Sequence, residues 1–236
     1  LADLHRRRAE TEGQFFTPPG IAARIWEVLT PTVHAAERLV SVLDSSVGSG
    51  RLFASAPVEH CAFYGLDSDE DCIAELRNAT KGSNHCYTFE TGKLEDLDAR
   101  RFDLAVINPP FSLTLSSPNM FPHPGTSFGP YGPHTSATSH EYALHQALDA
   151  ARVVAAILPV SMDAVCKQNK RLKIVVYLPS NAFKEEGANV LTAVYFFDAR
   201  ESADAPVTVQ GSEMEAWPAM DFSILRDRHG QPRFVL

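Results

Sequence analysis

The residues most suited to chemistry form the run Asn108-Pro109-Pro110-Phe111, directly after the apolar segment 103–107. Two prolines after a buried strand make a stiff turn, which holds the Asn side chain and the Pro109 carbonyl at the strand end. Both oxygens can accept hydrogen bonds from one NH2 group, and the Phe111 ring can stack on a planar base. An amine on an aromatic ring is a poor nucleophile because its lone pair is delocalised, and two acceptors relieve that delocalisation. The run indicates activation of such an amine; a structural Pro-Pro turn is the alternative.

A glycine-containing turn from Asp44 to Gly50 is the second candidate site. Glycine permits positive φ and a close approach of the backbone to a ligand, although a plain tight turn has the same composition. A dinucleotide-binding fingerprint would need a third glycine at position 53, where Phe53 stands, so nicotinamide chemistry is disfavoured.

Asp67 ends the next apolar run and is the third candidate. An acidic residue at this place can accept hydrogen bonds from both hydroxyls of a ribose. The alternative is a helix N-cap, a role that Ser68 or Asp69 can fill equally well.

Alternating apolar and periodic segments predict the elements that position these residues. Apolar runs predict strands at 40–43, 61–66, 85–89, 103–107, 152–158, 172–178 and 190–197, and periodicity predicts helices at 18–29, 69–79 and 140–150. Such alternation is typical of an α/β protein whose parallel sheet has helices on both faces. Ligands of such sheets bind beyond the carboxyl ends of the strands, where Asp44, Asp67 and Asn108 all lie.

Further motifs extend the pattern. The run Gln14-Phe15-Phe16-Thr17-Pro18 resembles the "Q-(F/Y)-(F/Y)-T-P" motif of gamma-class DNA adenine-N6 methyltransferases, which include type I modification subunits and fused restriction–modification enzymes. The turn at Asp44 resembles their "D-P-x-x-G-S-G", with Ser45 in place of Pro. Residues 108–111 resemble their catalytic motif, and 178–183 (LPSNAF) resemble their "L-P-x-x-x-F". The resemblance covers roughly residues 10–200.

The resemblance implies the Rossmann-like methyltransferase fold, with a mostly parallel seven-stranded sheet and an antiparallel last hairpin. It also implies S-adenosylmethionine as cofactor and a role for each motif residue. Thr17 and its neighbour Phe16 would hold the methionine end, Asp44 the amino group and Asp67 the ribose. The residues completing the expected cofactor site are Ser46, Gly48, Gly50 and, against the adenine, Asp96. Phe183 would face the target base together with Phe111.

The implied reaction is direct methyl transfer to N6 of an adenine in DNA, with the base flipped out of the duplex. The chain has 21 Lys and Arg against 29 Asp and Glu, a net charge of −8, which is unfavourable for binding a polyanion. The candidate basic surface is small: Lys167, Lys170, Arg171 and Lys173. We therefore expect a target-recognition domain or subunit outside this chain.

The catalytic domain is predicted to span 1–200, with 1–30 as N-terminal motif and helix. The Ser-, Pro- and Gly-rich stretch 112–139 is predicted to be a flexible substrate loop, and 201–236 a tail or the start of a further domain. No Cys/His spacing indicates a metal site, and histidines near the loop, such as His140, are expected to be solvated. No apolar stretch is long enough for a membrane span, so a cytoplasmic protein is expected.

Two other classes remain open. Asn-Pro-Pro motifs also occur in methyltransferases that act on guanine in ribosomal RNA or on glutamine in release factors. A catalytically inactive methyltransferase fold serving as a scaffold subunit is the non-enzymatic alternative.

Overall fold

The computed structural model describes residues 15–97, 101–111, 114–115, 137–184, 190–219 and 222. Its centre is an eight-stranded sheet. The strands are β1 (Val40–Asp44), β2 (Cys61–Asp67), β3 (Cys86–Thr91), β4 (Phe102–Ile107), β7 (Ala151–Pro159), β8 (Leu172–Tyr177), β9 (Thr192–Asp198) and β10 (Val207–Gln210). Their order in the sheet is β10-β8-β9-β7-β4-β1-β2-β3. Only β9 among them runs antiparallel, to both β7 and β8. The predicted α/β fold and antiparallel hairpin are confirmed.

The sheet has one strand more than the seven expected. β10 pairs in parallel with β8 and forms the sheet edge, in a region where no strand was predicted. Its pattern is weak because the strand has four residues and most of them are exposed. A separate two-stranded antiparallel ladder joins β5 (Thr114–Leu115) to β6 (Ala137–Thr138). Within the predicted 112–139 loop, residues 112–113 and 116–136 lie outside the described residues.

Five α-helices cover the sheet in the described part of the chain: α1 (Pro19–His34), α2 (Arg51–Ala54), α3 (Glu70–Thr80), α4 (Ser139–Ala150) and α5 (Asp163–Gln168). The helices α1, α2 and α3 pack on one face, and α4 and α5 on the other. Neighbouring strand residues separate accordingly: Val42 joins the first core and Leu43 the second, as side-chain alternation requires. A helix was expected directly after the glycine turn, where α2 lies, although without bounds; the short helix α5 was not predicted.

The described part of the tail packs against α1. The buried side chains of Trp217 and Phe222 belong to the core on the α1 face, and the Phe222 amide donates to Thr32 Oγ1 at 3.3 Å. The Arg24 Nε donates to the Glu213 carbonyl at 2.8 Å. Glu213, Trp217 and Phe222 therefore support the helix that follows the Phe-Thr-Pro segment.

Candidate active site

The carboxyl ends of β1, β2 and β4 meet at one edge of the sheet and open into a cleft of about 440 Å³. Asp44, Asp67 and Asn108 all line it, as predicted from their places at the strand ends. The other lining residues are Phe15, Phe16, Thr17, Ser46, Val47, Gly48, Ser49, Arg51, Leu52 and Pro110.

The turn between β1 and α2 folds onto Asp67. Gly48 and Gly50 have φ of +49° and +75°, a left-handed conformation that glycine adopts without strain. A Cβ on Gly50 would lie 2.7 Å from Leu76 Cδ2 of α3, so the turn is also closely packed. The Gly48 amide donates to Asp67 Oδ2 at 2.7 Å, which joins the glycine turn to the end of β2.

Asp67 is buried and does not cap α3. Its Oδ1 accepts from the Asp69 amide at 2.9 Å. The helix cap is Asp69, whose Oδ1 accepts from the amides of Asp71 and Cys72 at 3.0 and 3.3 Å. Two backbone donors, the amides of Gly48 and Asp69, therefore fix the Asp67 carboxylate at the cleft. Its ribose-binding role stays a prediction.

Asp44 lies deeper, with 1% of its surface exposed. Burial in a poorly solvated site raises the pKa of its carboxyl from 3.8 to about 8, and the negative charge of Asp67 adds to the rise. The Ser46 amide, which donates to Asp44 Oδ1 at 3.1 Å, opposes the shift. Two carboxyl groups facing one cleft favour a ligand with hydroxyl groups and a positive charge.

The Phe-Thr-Pro segment crosses the cleft and orients Asn108. Asn108 Nδ2 donates to the Phe15 carbonyl at 2.6 Å and to Thr17 Oγ1 at 3.1 Å. These bonds direct Nδ2 toward the segment and leave Oδ1 buried without a hydrogen-bond partner among the described residues. A buried acceptor without a partner is costly, and a substrate donor can satisfy it.

Phe111 lies in the core and is only 5% exposed. Its ring centroid lies 5.9 Å from that of Phe15 and 6.3 Å from that of His140, which it meets edge-on. Ser139 Oγ donates to the Pro110 carbonyl and anchors the turn to the start of α4. The expectation of a solvated His140 is wrong, because the side chain is 5% exposed behind the motif and burial lowers the pKa of its imidazole. Pro109 is also buried.

Five predicted site residues lie outside the described cleft lining: Gly50, Asp96, Pro109, Phe111 and Phe183. Phe183 is 2% exposed and belongs to the hydrophobic core. Asp96 is exposed and its Oδ2 accepts from the Lys93 amide at 2.8 Å, closing a short 3-10 turn after β3. A base contact by Phe183 or an adenine contact by Asp96 stays a prediction.

Arg51 and Phe15 line the cleft but were not among the predicted site residues. Arg51 directly follows Gly50, and its guanidinium carbon lies 5.1 Å from the centre of the Phe16 ring. Its position at the end of the glycine turn is the signal that could have identified it. The described residues contain no cluster of three metal-binding side chains, and none of the described helices has the length and apolar character of a membrane span.

In the comparison with protein families, the family model described as N-6 DNA Methylase matches residues 1–147. None of the curated proteins compared matches the sequence.

Solved structures share the fold at low sequence identity. A Listeria monocytogenes protein described as a class I S-adenosylmethionine-dependent methyltransferase is 14% identical with a TM-score of 0.65, over 85% of this chain and 67% of its own. A chain from a type I R-M system is 18% identical with a TM-score of 0.57, over 88% of this chain and 46% of its own. A Pyrococcus horikoshii protein described as an RNA methyltransferase is 16% identical with a TM-score of 0.52, over 78% of this chain and 87% of its own. The chain thus spans less than half of the type I R-M chain.

Proposed function

The chain belongs to the N-6 DNA methylase family, and we propose that it transfers a methyl group from S-adenosylmethionine to N6 of an adenine in DNA. One observation carries the choice of an amino group as acceptor: Asn108 Oδ1 is buried at the cleft and has no partner among the described residues. An exocyclic NH2 group is the donor that this oxygen lacks.

The cleft suits the cofactor in its chemistry. S-adenosylmethionine carries an ammonium group, a ribose diol and a sulfonium whose methyl group is electrophilic. Asp44 would hold the ammonium, and Asp67 would accept from the ribose hydroxyls.

Asn108 would act on the substrate amine. Its Nδ2 is held by Phe15 and Thr17, so its Oδ1 is directed before the substrate arrives and needs no reorganisation during the reaction. Accepting one amine hydrogen increases the electron density available on nitrogen for attack. Positioning and this fixed acceptor supply the catalysis, and the adenine reaches the cleft by leaving the base stack.

DNA recognition would depend on residues outside the described cleft. The net charge is −8. Of the four basic side chains proposed from the sequence as a DNA-binding surface, Arg171 and Lys167 are engaged in contacts within the protein. Arg171 is buried with its guanidinium donating to carbonyls of Leu148, Ala151, Arg152 and Asp198. Lys167 is paired with Asp163 at 2.7 Å. We therefore assign target recognition to a further domain or subunit, as expected for a chain that spans under half of the type I R-M chain.

The test compares Asn108→Ala with Asn78→Ala, an exposed asparagine on α3. Transfer of labelled methyl groups to single-stranded DNA is measured at saturating cofactor, because loss of the Phe15 and Thr17 bonds can also weaken cofactor binding. Asn108→Ala should lose more than about tenfold in rate, equivalent to about 1.4 kcal/mol of barrier, while Asn78→Ala should match the wild type. A rate within tenfold for Asn108→Ala contradicts the assigned role. Parallel assays with ribosomal RNA and a glutamine-containing protein test the other acceptor classes.

A further inference from the structure

The cleft contains a cation that the assigned roles leave unused. Arg51 follows the glycine turn and lines the same cleft as Asp44 and Asp67. Among the described lining residues it carries the only positive charge, against those two carboxyl groups. Its guanidinium lies over the Phe16 ring, 5.1 Å from the ring centre, and is therefore held in place by a cation–π contact.

We propose that Arg51 binds the carboxylate of the methionine end of S-adenosylmethionine, so that the cleft recognises the amino acid as a zwitterion. This inference rests on the proposed function, because it takes S-adenosylmethionine as the ligand. Asp44 ends β1 and Arg51 begins α2, on either side of the glycine turn, and both line the cleft. A ligand with an ammonium and a carboxylate carries one group for each of these two side chains. The guanidinium fork is suited to a carboxylate because it can donate two parallel hydrogen bonds.

The rival ligand for Arg51 is a DNA phosphate. The position of the Arg51 side chain favours the cofactor over a phosphate as its ligand. Arg51 directly follows the glycine turn, and the Phe16 ring that its guanidinium contacts is also close to Gly48 of that turn. A Cβ on Gly48 would be 3.4 Å from the Phe16 ring. The Arg51 guanidinium, the Phe16 ring and the glycine turn therefore lie together in one wall of the cleft. The carboxyl groups of Asp44 and Asp67 line the same cleft.

The experiment changes the ligand and the protein together. Calorimetry gives the Kd of S-adenosylmethionine and of its decarboxylated analogue for the wild type, Arg51→Met and Arg51→Lys. The wild type should prefer the carboxylate-bearing ligand by about tenfold to hundredfold, the range for hydrogen bonds between charged groups. Arg51→Met keeps the aliphatic packing on Phe16 and should reduce the preference to below about threefold. Arg51→Lys keeps the charge without the fork and should give an intermediate value.

Two controls separate contact from long-range charge. Lys93→Met removes the same charge from an exposed side chain outside the cleft lining and should keep the wild-type preference. Measurements in 1 M salt, where exposed charges are screened over about 3 Å, should preserve most of the preference. A wild-type preference retained by Arg51→Met overturns the proposal. A preference that disappears in 1 M salt also overturns it. An Arg51→Met variant that loses affinity for DNA but not for S-adenosylmethionine overturns it as well. If the wild type binds neither ligand, the proposed function fails with it; if only the Arg51 effect is missing, the proposed function stands.

Discussion

Binding of the cofactor ammonium to Asp44 should release a proton. The carboxyl is 1% exposed and has a pKa of about 8, so roughly nine in ten molecules hold its proton at pH 7. An ammonium partner requires the carboxylate form, and the proton must leave on binding. At pH 7 this deprotonation costs about 1.4 kcal/mol, equivalent to about tenfold in affinity.

The affinity should therefore rise by up to about tenfold per pH unit between pH 5 and 6.5. This window lies more than one unit below the pKa of about 7.7–8.0 of an ordinary α-amino group, so the cofactor keeps its charge. Calorimetry in buffers of different ionisation enthalpy counts the released protons, with about 0.9 expected per cofactor at pH 6.5. Asp44→Asn should bind more weakly and lose both the proton release and the pH slope. Binding without proton release by the wild type would refute the ammonium–Asp44 contact.

The same shift predicts the effect on folding stability. The folded protein holds the Asp44 proton up to about pH 8, whereas the unfolded chain loses it near pH 4. The folded state thus binds more protons in this window, and the free energy of unfolding should fall as the pH rises from about 4 to 8. Asp44→Asn should reduce that slope, which denaturant unfolding at several pH values measures; an unchanged slope would contradict the raised pKa.

The remaining predictions concern separate sites. Asp67→Ala should weaken cofactor binding by about 1.5–3 kcal/mol. Its matched control Asp69→Ala, which removes the α3 cap, should cost about 0.5–2 kcal/mol of stability with an unchanged Kd; equal Kd values for both variants would remove the ribose role. Phe111→Ala should lower the free energy of unfolding by about 3–5 kcal/mol, because the ring is buried, and Phe111→Trp should also destabilise through overpacking. If Phe111→Ala lost base stacking but kept the wild-type free energy of unfolding, that result would contradict the burial of the Phe111 ring. Arg171→Met should cost at least about 3 kcal/mol in denaturant unfolding, because three buried carbonyl groups and the part-buried one of Arg152 lose this donor; a change below 1 kcal/mol would contradict it.

The convergence of Asp44, Asp67 and Asn108 could be predicted from the sequence because it follows from general rules. Each residue ends an apolar run, and parallel strands place their carboxyl ends at one edge. The sequence likewise offered Ser68 or Asp69 as the cap of the following helix, which left Asp67 for another role; the structure has Asp69 as the cap.

Other features depend on packing between distant segments and could not be predicted. Phe111 is buried because Phe15, nearly 100 positions earlier, and His140 both pack against it. Phe183 lies in the core, although its motif gives no information on which way the ring points. β10 needed the edge of β8 to form a strand, because its own residues are mostly exposed and carry little apolar pattern.

The most direct measurement identifies the methylated atom. The wild-type chain and Asn108→Ala are incubated with single-stranded DNA and S-adenosylmethionine carrying a trideuterated methyl group, and the digested nucleosides are analysed by mass spectrometry. Single-stranded DNA is used because its bases need no unpairing. Labelled N6-methyl-2′-deoxyadenosine should form with the wild type and be lost in Asn108→Ala. Label on another base, or label on adenine that Asn108→Ala retains in full, would contradict this account.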